Sequence, residues 1–317
     1  MLTAFVFPGQ GSQYVGMGKG ISEAYPDANE VFSIAGNVLK WDLRKLCFEG
    51  PADRLNQTAF TQPAILTASM AIYRAFKKVS TIVPDWVAGH SLGEYSALVA
   101  AEGISMESAI SLVATRGKLM QEAVPEGRGA MAAILGLDRL KVELICKESL
   151  SDGMVAPANY NSLDQIVVAG EKKAVEAVSK KAVETGAKKV IPLAVSVPSH
   201  CILMEPAARE LEKEIEKVQF RDLKIRLINN VEAKELRKKE EIIPSLIRQI
   251  SSPLLWVDTI LYLKGQGVKT FIEVGPGRIL SGLIKRIDRN AEVLSFEDPE
   301  TLEKTSKRLD EIKKSSA

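Results

Sequence analysis

The segment Gly89-His-Ser-Leu-Gly93 constrains the fold more than any other part of this sequence. It follows the short apolar run 86–88 and precedes a stretch of small residues, 92–101, with the character of a helix. A serine between two glycines at a strand-to-helix turn forms a nucleophile elbow, because the tight turn excludes nearby side chains and points the serine Oγ outward. The N–H groups and the dipole of the following helix favour negative charge there. The pattern therefore predicts an α/β fold with a reactive Ser91, and a plain turn with a capping serine is the alternative.

The rest of the hydrophobic pattern predicts helices and strands around this turn. The apolar run 3–7 ends at Pro8-Gly9 and is expected to be a buried strand. Ser105 is expected to cap the next helix, and Pro244 is placed as a first helical residue, where its missing N–H costs nothing. The remaining elements are strands at 225–229 and 270–274 and helices at 62–76, 205–217, 244–250 and 279–287.

A middle segment has a different order of elements. It predicts a strand at 130–135, a helix at 140–149, strands at 154–160 and 165–169, a helix at 173–185 and a strand at 189–194. The order β-α-β-β-α-β is that of a ferredoxin-like unit. We therefore predict an α/β-hydrolase-like core with a parallel sheet, formed by residues 1–126 and 196–317, and an inserted ferredoxin-like α+β subdomain formed by residues 127–195.

Composition excludes several classes of protein. With 317 residues, 46% hydrophobic and 26% charged, the chain resembles an ordinary globular protein. A net charge of +2 without a strongly basic stripe argues against nucleic-acid binding. The longest charge-free segment, 55–73, contains too many polar residues to span a membrane. The N-terminus lacks a signal-peptide pattern, and three cysteines without a C-x-x-C pair predict reduced thiols in a cytoplasmic protein.

A serine hydroxyl needs a base, and the sequence contains only two histidines. His90 neighbours Ser91 in a turn where adjacent side chains point in different directions, so we assign it a structural or peripheral role. His200 remains the candidate general base, with a hydrogen-bonded loop or core histidine as the alternative. Cys201 beside it is expected to be a buried, inert thiol.

Two further features suit an acyl-binding site. The loop Pro8-Gly-Gln-Gly-Ser-Gln13 lacks the third glycine of a dinucleotide fingerprint and the Gly-Lys-Ser/Thr ending of a P-loop. Its N–H groups can approach a substrate as an oxyanion hole, while a tight turn without function and a phosphate site are alternatives. Arg116 lies at the flank of the apolar stripe of its helix, from which a guanidinium reaches an interior cleft. A surface arginine is the ordinary alternative.

Several motifs together resemble one enzyme family. In chain order they are Phe7-Pro-Gly-Gln-Gly-Ser-Gln13, Gly89-His-Ser-Leu-Gly-Glu-Tyr95, Thr115-Arg-Gly117, Val195-Ser-Val-Pro-Ser-His200, Arg248-Gln249 and Glu273-Val-Gly-Pro-Gly277. The sequence closely resembles the malonyl-CoA:acyl carrier protein transacylases of dissociated (type II) bacterial fatty acid synthesis. The resemblance runs from residue 4 to about residue 287 and includes the insert; only the lysine-rich tail after residue 300 lies clearly outside it.

The resemblance implies a role for each matching residue. Ser91 corresponds to the nucleophile and His200 to the general base. Gln10 and Leu92 correspond to the residues whose main-chain N–H groups form the oxyanion hole. Arg116 corresponds to the arginine that binds the malonyl carboxylate.

Four more positions carry implied roles. Gln249 corresponds to the residue whose main-chain carbonyl orients the histidine, so no acidic third member of a triad is required. Asn159 and Asn161 correspond to polar positions near the site. Ser199 stands where some relatives carry Phe, and the smaller residue leaves space near the substrate α-carbon.

The activity implied is a ping-pong transfer of malonyl from malonyl-CoA to the phosphopantetheine thiol of acyl carrier protein, through a malonyl-serine ester and with no metal or bound redox cofactor. A serine esterase or thioesterase would share the elbow and the base, and a malonyl transferase of a polyketide-type pathway would share the chemistry. A binding module using the glycine loops would form no covalent adduct. We expect a monomer. The carrier proteins of this family are acidic, so Lys188 and Lys189 are candidates for a docking patch, and a solvated face is the ordinary alternative for such a lysine pair.

Overall fold

A computed structural model describes residues 2–125, 127–194 and 197–315. Within those ranges ten strands form two sheets. The strands are β1 (Thr3–Phe7), β2 (Trp86–Gly89), β3 (Gly129–Leu135), β4 (Val155–Ser162), β5 (Gln165–Glu171), β6 (Lys189–Pro192), β7 (Arg226–Ile228), β8 (Glu235–Leu236), β9 (Thr270–Val274) and β10 (Glu292–Phe296).

Helices surround the larger sheet and cover one face of the smaller one. They are α1 (Lys19–Ala24), α2 (Pro26–Leu39), α3 (Leu43–Glu49), α4 (Ala52–Leu55), α5 (Thr58–Val79), α6 (Gly93–Ala100), α7 (Met106–Ala123), α8 (Arg139–Glu148), α9 (Lys172–Glu184), α10 (Glu205–Ile215), α11 (Lys239–Gln249), α12 (Trp256–Gly265), α13 (Ile279–Ile287) and α14 (Pro299–Ser315). Short 3-10 turns occupy Leu150–Asp152 and Ile202–Met204.

The larger sheet has the order β10-β9-β1-β2-β7-β8. Every neighbouring pair is parallel except β7 and β8. The carboxyl ends of parallel strands meet at one edge of a sheet, and in open α/β sheets ligands bind outside that edge. The loops that follow β1, β2 and β7 therefore converge, which brings the glycine-rich loop close to the serine turn.

The strand β1 is buried along its whole length and packs against α5. The rings of Phe5 and Phe76 meet edge to face at 5.2 Å, and the ring of Phe7 meets Tyr73 in the same way at 6.1 Å. Residues 61–72 of α5 are all buried, and the helix extends beyond the predicted span of 62–76 at both ends. This packing holds β1 and α5 together beneath the loops at the carboxyl edge of the sheet.

The smaller sheet is antiparallel and has the order β4-β5-β3-β6. Its elements follow one another as β3-α8-β4-β5-α9-β6, which is the predicted order. Main-chain bonds join it to the larger region, because Tyr160 N–H donates to the Leu254 carbonyl at 2.9 Å and Leu254 N–H to the Ala158 carbonyl at 2.8 Å. The predicted boundaries at residues 126, 195 and 196 lie outside the described residues.

One predicted helix start is wrong. The helix α11 begins at Lys239, and Pro244 lies inside it on its exposed side. Ile242 and Leu246 are buried one turn apart, so packing extends the helix back beyond the proline. Pro244 leaves the Glu240 carbonyl without its usual donor. Water can bond to that carbonyl because both residues are exposed.

Candidate active site

The turn around Ser91 is built by close approach of main-chain atoms. A Cβ on Gly89 would lie 1.9 Å from the carbonyl carbon of Gly93, and a Cβ on Gly93 would lie 2.0 Å from the Phe7 carbonyl oxygen. Neither position therefore tolerates a side chain. Ser91 itself has a φ of 54°, a left-handed conformation that a non-glycine residue adopts only where its surroundings enforce it.

Asn230 supplies that enforcement from the loop after β7. Its Nδ2 donates to the Gly89 carbonyl at 2.6 Å, and its Oδ1 accepts the main-chain N–H of Ser91 at 2.7 Å. The side chain therefore bridges the Gly89 carbonyl and the Ser91 N–H, the two main-chain groups that lead into the strained residue. Because the contact joins residues far apart in the chain, the sheet must form before the turn is complete.

Ser91 and His200 form a hydrogen-bonded pair. The Ser91 Oγ and His200 Nε2 lie 2.8 Å apart, and His200 Nδ1 lies 2.8 Å from the main-chain carbonyl of Gln249. A carbonyl can only accept, so Nδ1 carries the proton and Nε2 is left to accept from the serine hydroxyl. Burial, aided by the charge of Arg116, lowers the pKa of His200 to about 3. The imidazole is therefore neutral at physiological pH, the form that a base requires.

The Arg116 guanidinium lies inside the protein beside the serine, with 1% of the residue exposed. Its Nη2 donates to Ser91 Oγ at 3.1 Å and to Gln249 Oε1 at 3.0 Å, while Nη1 donates to Gln62 Oε1 at 2.7 Å. Its Nε–H has no partner among the described residues. Burial lowers the pKa of Arg116, opposed by Tyr95 and Glu94. The predicted position at the flank of the helix is confirmed, and the surface alternative is excluded.

Gln10 and Leu92 both line the cavity that contains Ser91. In the described part of the chain, neither main-chain N–H is engaged in a hydrogen bond, whereas the next N–H, that of Gly93, donates to the His90 carbonyl at 2.9 Å. The Gln10 side chain is held by Thr58, to which its Nε2 donates at 3.2 Å. Two unused main-chain donors therefore lie at the edge of the cavity.

The cavity itself measures about 150 Å³ and lies between the two sheets. All the residues predicted for the pocket contribute to it, together with apolar residues that the sequence did not single out. The lining includes Gln10, Gln62, His90, Ser91, Leu92, Arg116, Met120, Met131, Asn159, Asn161, Val167, Leu193, Ser199 and His200. A short acyl chain with one charged end matches its size and its single guanidinium.

The second histidine has a different environment. The Nε2 of His90 lies 2.8 Å from Asn161 Oδ1, and its ring meets Trp256 edge to face at 5.6 Å. Burial lowers the pKa of His90 as well. His90 therefore lines the cavity and links it to the smaller sheet, while the hydrogen bond to Ser91 Oγ is made by His200.

Three buried polar residues of the network were missed by the sequence interpretation: Gln62, Glu94 and Asn230. Glu94 accepts from Gln249 Nε2 at 2.8 Å and from the Asn230 N–H at 3.1 Å. A carboxylate among the small residues of 92–101 was a signal that such an acid has a partner inside the fold. Gln62 and Asn230 carried no local signal, because amides are common in surface loops and helices.

The remaining features concern metals, membranes and thiols. Within the described ranges, no group of three or more His, Cys, Asp or Glu side chains is placed to hold a metal ion. No helix in the part of the chain that the structure covers is long and apolar enough to cross a membrane. The Cys201 thiol is buried and bonds to the Pro198 carbonyl at 3.1 Å, and burial raises its pKa to about 11, as expected for an inert thiol.

This fold, with a serine elbow paired to a histidine at the edge of a parallel sheet, defines a protein built to carry an acyl group on serine. The sequence matches the acyl transferase domain family over residues 4–296, and the chain belongs to this family. It is 46% identical over 299 residues to the malonyl CoA-acyl carrier protein transacylase of Escherichia coli strain K12, covering 94% of this chain and 97% of that one.

Two solved structures are similar along nearly the whole chain. The malonyl CoA-acyl carrier protein transacylase of Coxiella burnetii has a TM-score of 0.96 at 45% identity and covers 98% of both chains. A malonyl-transacylase in complex with its type II PKS acyl-carrier protein has a TM-score of 0.95 at 45% identity, covering 97% of this chain and all of that one.

Proposed function

We propose that this protein is a malonyl-CoA:acyl carrier protein S-malonyltransferase. The observation that carries the proposal is the guanidinium of Arg116, buried and 3.1 Å from the Ser91 Oγ. An esterase or thioesterase needs the serine and its base, but it needs no buried cation beside the acyl group. A fixed cation at this distance selects an acyl chain that ends in a carboxylate, and malonyl is the short acyl group of that kind.

The first half-reaction acylates the serine. His200 Nε2 takes the proton from Ser91 Oγ as Oγ attacks the thioester carbonyl carbon. The tetrahedral intermediate collapses, the carbon–sulfur bond breaks, and coenzyme A leaves as a thiol with the proton from His200. In the second half-reaction the phosphopantetheine thiol of the carrier protein gives its proton to His200 and attacks the ester, and Ser91 regains its proton.

The free N–H groups of Gln10 and Leu92 are the proposed oxyanion hole. Each main-chain donor aimed at a developing oxyanion contributes about 3 kcal/mol to transition-state stabilisation in comparable sites. The Leu92 donor lies at the start of α6, where the helix dipole also favours negative charge. Its place next to the nucleophile is the arrangement found in other serine elbows.

Substrate binding changes the charge that His200 experiences. With the cavity empty, the nearby Arg116 disfavours protonation of His200 and lowers its pKa. A malonyl carboxylate paired with the guanidinium cancels much of that charge, and the oxyanion adds a negative charge nearby. Both effects raise the basicity of His200 when a malonyl group is bound. The imidazole is thus a better base with the correct substrate than with an uncharged acyl group.

The likeness to transacylases supports acyl carrier protein as the partner, and the solved complex with a carrier protein is a similar fold. Fatty acid chain extension is the proposed pathway; supply of a polyketide-type pathway would use the same chemistry. We further propose a cytoplasmic monomer that needs no cofactor, with Gln249 orienting the histidine and Asn159, Asn161 and Ser199 shaping the acyl pocket.

The same proposal extends to the two parts of the fold. We assign the larger region to the α/β-hydrolase-like architecture, and the serine turn after a central parallel strand supports this. We assign residues 127–195 to a ferredoxin-like subdomain, and the order β4-β5-β3-β6 supports that assignment.

The test is incubation with malonyl-CoA in the absence of carrier protein, followed by intact-mass measurement. We expect a stable malonyl adduct on the native protein and none on Ser91→Ala. Ser96→Ala is the matched control, because Ser96 is a buried serine on α6 without a hydrogen-bond partner among the described residues. Release of free malonate would identify a hydrolase, and neither adduct nor malonate would identify a binding protein.

A further inference from the structure

Glu94 is a buried acid to which the transfer scheme gives no role. It lies in the first turn of α6, three residues after the nucleophile, and is 1% exposed. The helix dipole favours a carboxylate there. Burying one still costs free energy unless hydrogen bonds compensate. Its partners therefore indicate what the acid does.

Those partners are the two amide residues that surround the nucleophile. Glu94 Oε2 accepts from Gln249 Nε2 at 2.8 Å and from the main-chain N–H of Asn230 at 3.1 Å. Through these contacts the Glu94 carboxylate is linked to Asn230, which binds the serine turn. It is also linked to Gln249, which contacts both His200 and Arg116.

The contact with Gln249 determines which way its amide faces. The two ends of an amide are nearly the same in shape, so only hydrogen bonding distinguishes them. Glu94 and the Ser91 main-chain carbonyl can only accept, and the Gln249 Nε2 donates to them at 2.8 and 2.9 Å. The Oε1 atom is thereby directed at Arg116 Nη2, 3.0 Å away. A reversed amide would place two donors face to face at the guanidinium.

We propose that Glu94 is a positioning residue, which as an acceptor-only carboxylate fixes the Gln249 amide so that Gln249 Oε1 holds the Arg116 guanidinium toward the Ser91 hydroxyl. The inference rests on the proposed function, since it assigns the orientation of the arginine that would bind the malonyl carboxylate. Glu94 touches neither the acyl group nor the reacting atoms, and it acts through Gln249.

The proposal has a consequence for pH dependence. The charged or titratable groups near Glu94 are Arg116 on α7 and Tyr95 on its own helix, while α11 presents the uncharged Ser245 and Gln249. Burial raises the pKa of Glu94 from 4.5 to about 7, against the hydrogen bonds and the charge of Arg116. Protonation of Glu94 removes the charge that strengthens its hydrogen bond with Gln249 Nε2, so below that pH the amide is held less firmly, by the Ser91 carbonyl and Arg116 alone.

Stability and activity then change in opposite directions. Because the pKa is higher in the folded protein than in the unfolded chain, the folded state binds the proton more readily between 4.5 and about 7. The contribution of Glu94 to stability is present below 4.5 and is lost as the pH rises through about 7. Acylation rises over the same interval, because the ionised form orients Gln249.

The experiment compares Glu94→Gln with the native protein in acylation by malonyl-CoA, measured as kcat/KM on both sides of pH 7. We expect a loss of about 10- to 100-fold at neutral pH, the value of one hydrogen bond to a charged group. We also expect the decline at acidic pH to disappear and the melting temperature to stay equal or rise. Glu273→Gln is the matched control, because Glu273 is a buried acid that instead caps α13.

A double-mutant cycle tests whether the effect passes through Gln249. Gln249→Met keeps the main-chain carbonyl that binds His200 and removes the amide. We expect the losses of Glu94→Gln and Gln249→Met to be strongly non-additive. Additive losses, or native rates with the native pH profile in Glu94→Gln, would overturn the inference. A native protein that takes up no malonyl would instead refute the proposed function.

Discussion

The two sheets contribute different kinds of residues to the cavity around Ser91. The region of the larger sheet provides the groups that carry charge or move protons: Ser91, Arg116 and His200. The smaller sheet provides only apolar and amide side chains, namely Met131, Asn159, Asn161 and Val167. Hydrogen bonds of 2.8 and 3.1 Å join Ser91 to His200 and to Arg116. The smaller sheet contacts the larger region at this cavity through His90, whose Nε2 lies 2.8 Å from Asn161 Oδ1.

The larger region therefore provides the groups for the chemical step, and the smaller sheet shapes the cavity. Substitutions in the hydrogen-bonded group leave a buried charge or a nucleophile without its partner, and such losses are large. Substitutions in the smaller sheet alter the wall that the acyl group touches, where one methylene is worth only about 1–3 kcal/mol of discrimination. We therefore expect mutations in the hydrogen-bonded group to have larger effects on activity than mutations in the smaller sheet.

The largest effect is expected for His200, and the other histidine, His90, provides the comparison. His200→Ala removes the base and should lower acylation by about 10²- to 10⁴-fold. His90→Ala removes one neutral hydrogen bond to Asn161 and should cost less than about tenfold. Single-turnover acylation with malonyl-CoA measures both, and circular dichroism checks that both variants fold. A greater loss in His90→Ala would reverse the assignment of the base.

Arg116 is expected to give the next largest effect, and only for a charged acyl group. Arg116→Ala should lower kcat/KM for malonyl-CoA by a few hundred- to several thousand-fold, the equivalent of about 3–5 kcal/mol for one partner of a buried charge pair. Acetyl-CoA has no carboxylate, so its slow transfer should fall little or rise. Arg116→Lys should restore part of the loss, since lysine supplies charge without the planar fork of donors. An equal loss on both thioesters would make Arg116 a structural residue.

The sequence predicted the segments of the larger region with unequal success. Strands Thr3–Phe7 and Thr270–Val274 and helix Ile279–Ile287 have the predicted bounds, because apolar periodicity and Gly or Pro residues mark their ends. The helices between residues 19 and 55 and the last strand and helix were not predicted. Most of these segments are short or highly charged, and α2 (Pro26–Leu39) is the longer, less charged exception.

The candidate site shows the same limit. The pairing of Ser91 with His200 followed from the elbow and from the scarcity of histidine, and the structure brings the two side chains together. Asn230 contacts Ser91 across a sequence separation of 139 positions, and Glu94 contacts Gln249 across a separation of 155 positions. No local pattern encodes such contacts, since they exist only after the parallel sheet has formed. The role of the Gln249 main-chain carbonyl was therefore accessible only through the resemblance to a family, and the orientation of its side-chain amide was not predicted.

A moderate effect on selectivity is expected from the smaller sheet. Met131→Ala removes a 7% exposed side chain from the cavity wall and should raise the rate with methylmalonyl-CoA relative to malonyl-CoA by up to about tenfold. Loss of the buried side chain also destabilises the fold by about 2–5 kcal/mol, so rates are measured well below the melting temperature. Met154→Ala is the control, because Met154 is 45% exposed. An unchanged ratio of rates would show that this wall does not limit the acyl group.

The smallest effect is expected at the surface of the smaller sheet, where Lys189 begins the edge strand β6 and Lys188 directly precedes it. Both are exposed, and neither forms an ion pair with the residues that the structure describes. Ion pairing of these lysines with an acidic carrier protein would therefore break no existing ion pair among the described residues. Surface pairs of this kind are worth on the order of 0.5 kcal/mol each, so the double substitution to alanine removes about 1 kcal/mol and should slow transfer to the carrier by about fivefold.

Salt provides the sharper measurement, because it screens exposed charges more than buried ones. Transfer to the carrier protein should weaken with rising salt more than acylation by malonyl-CoA does, and the lysine double variant should flatten that dependence. Lys213 and Lys217 provide the control pair, since the Nζ of each already lies 2.7 Å from the carboxylate oxygen of a neighbouring glutamate. Both half-reactions use the same Ser91, His200 and Arg116. Because malonyl-CoA carries phosphate charges of its own, docking at β6 is reported by the change in the lysine double variant relative to the control pair. Equal dependence in the two half-reactions would remove electrostatic docking at this strand and leave the smaller sheet only its part in shaping the cavity.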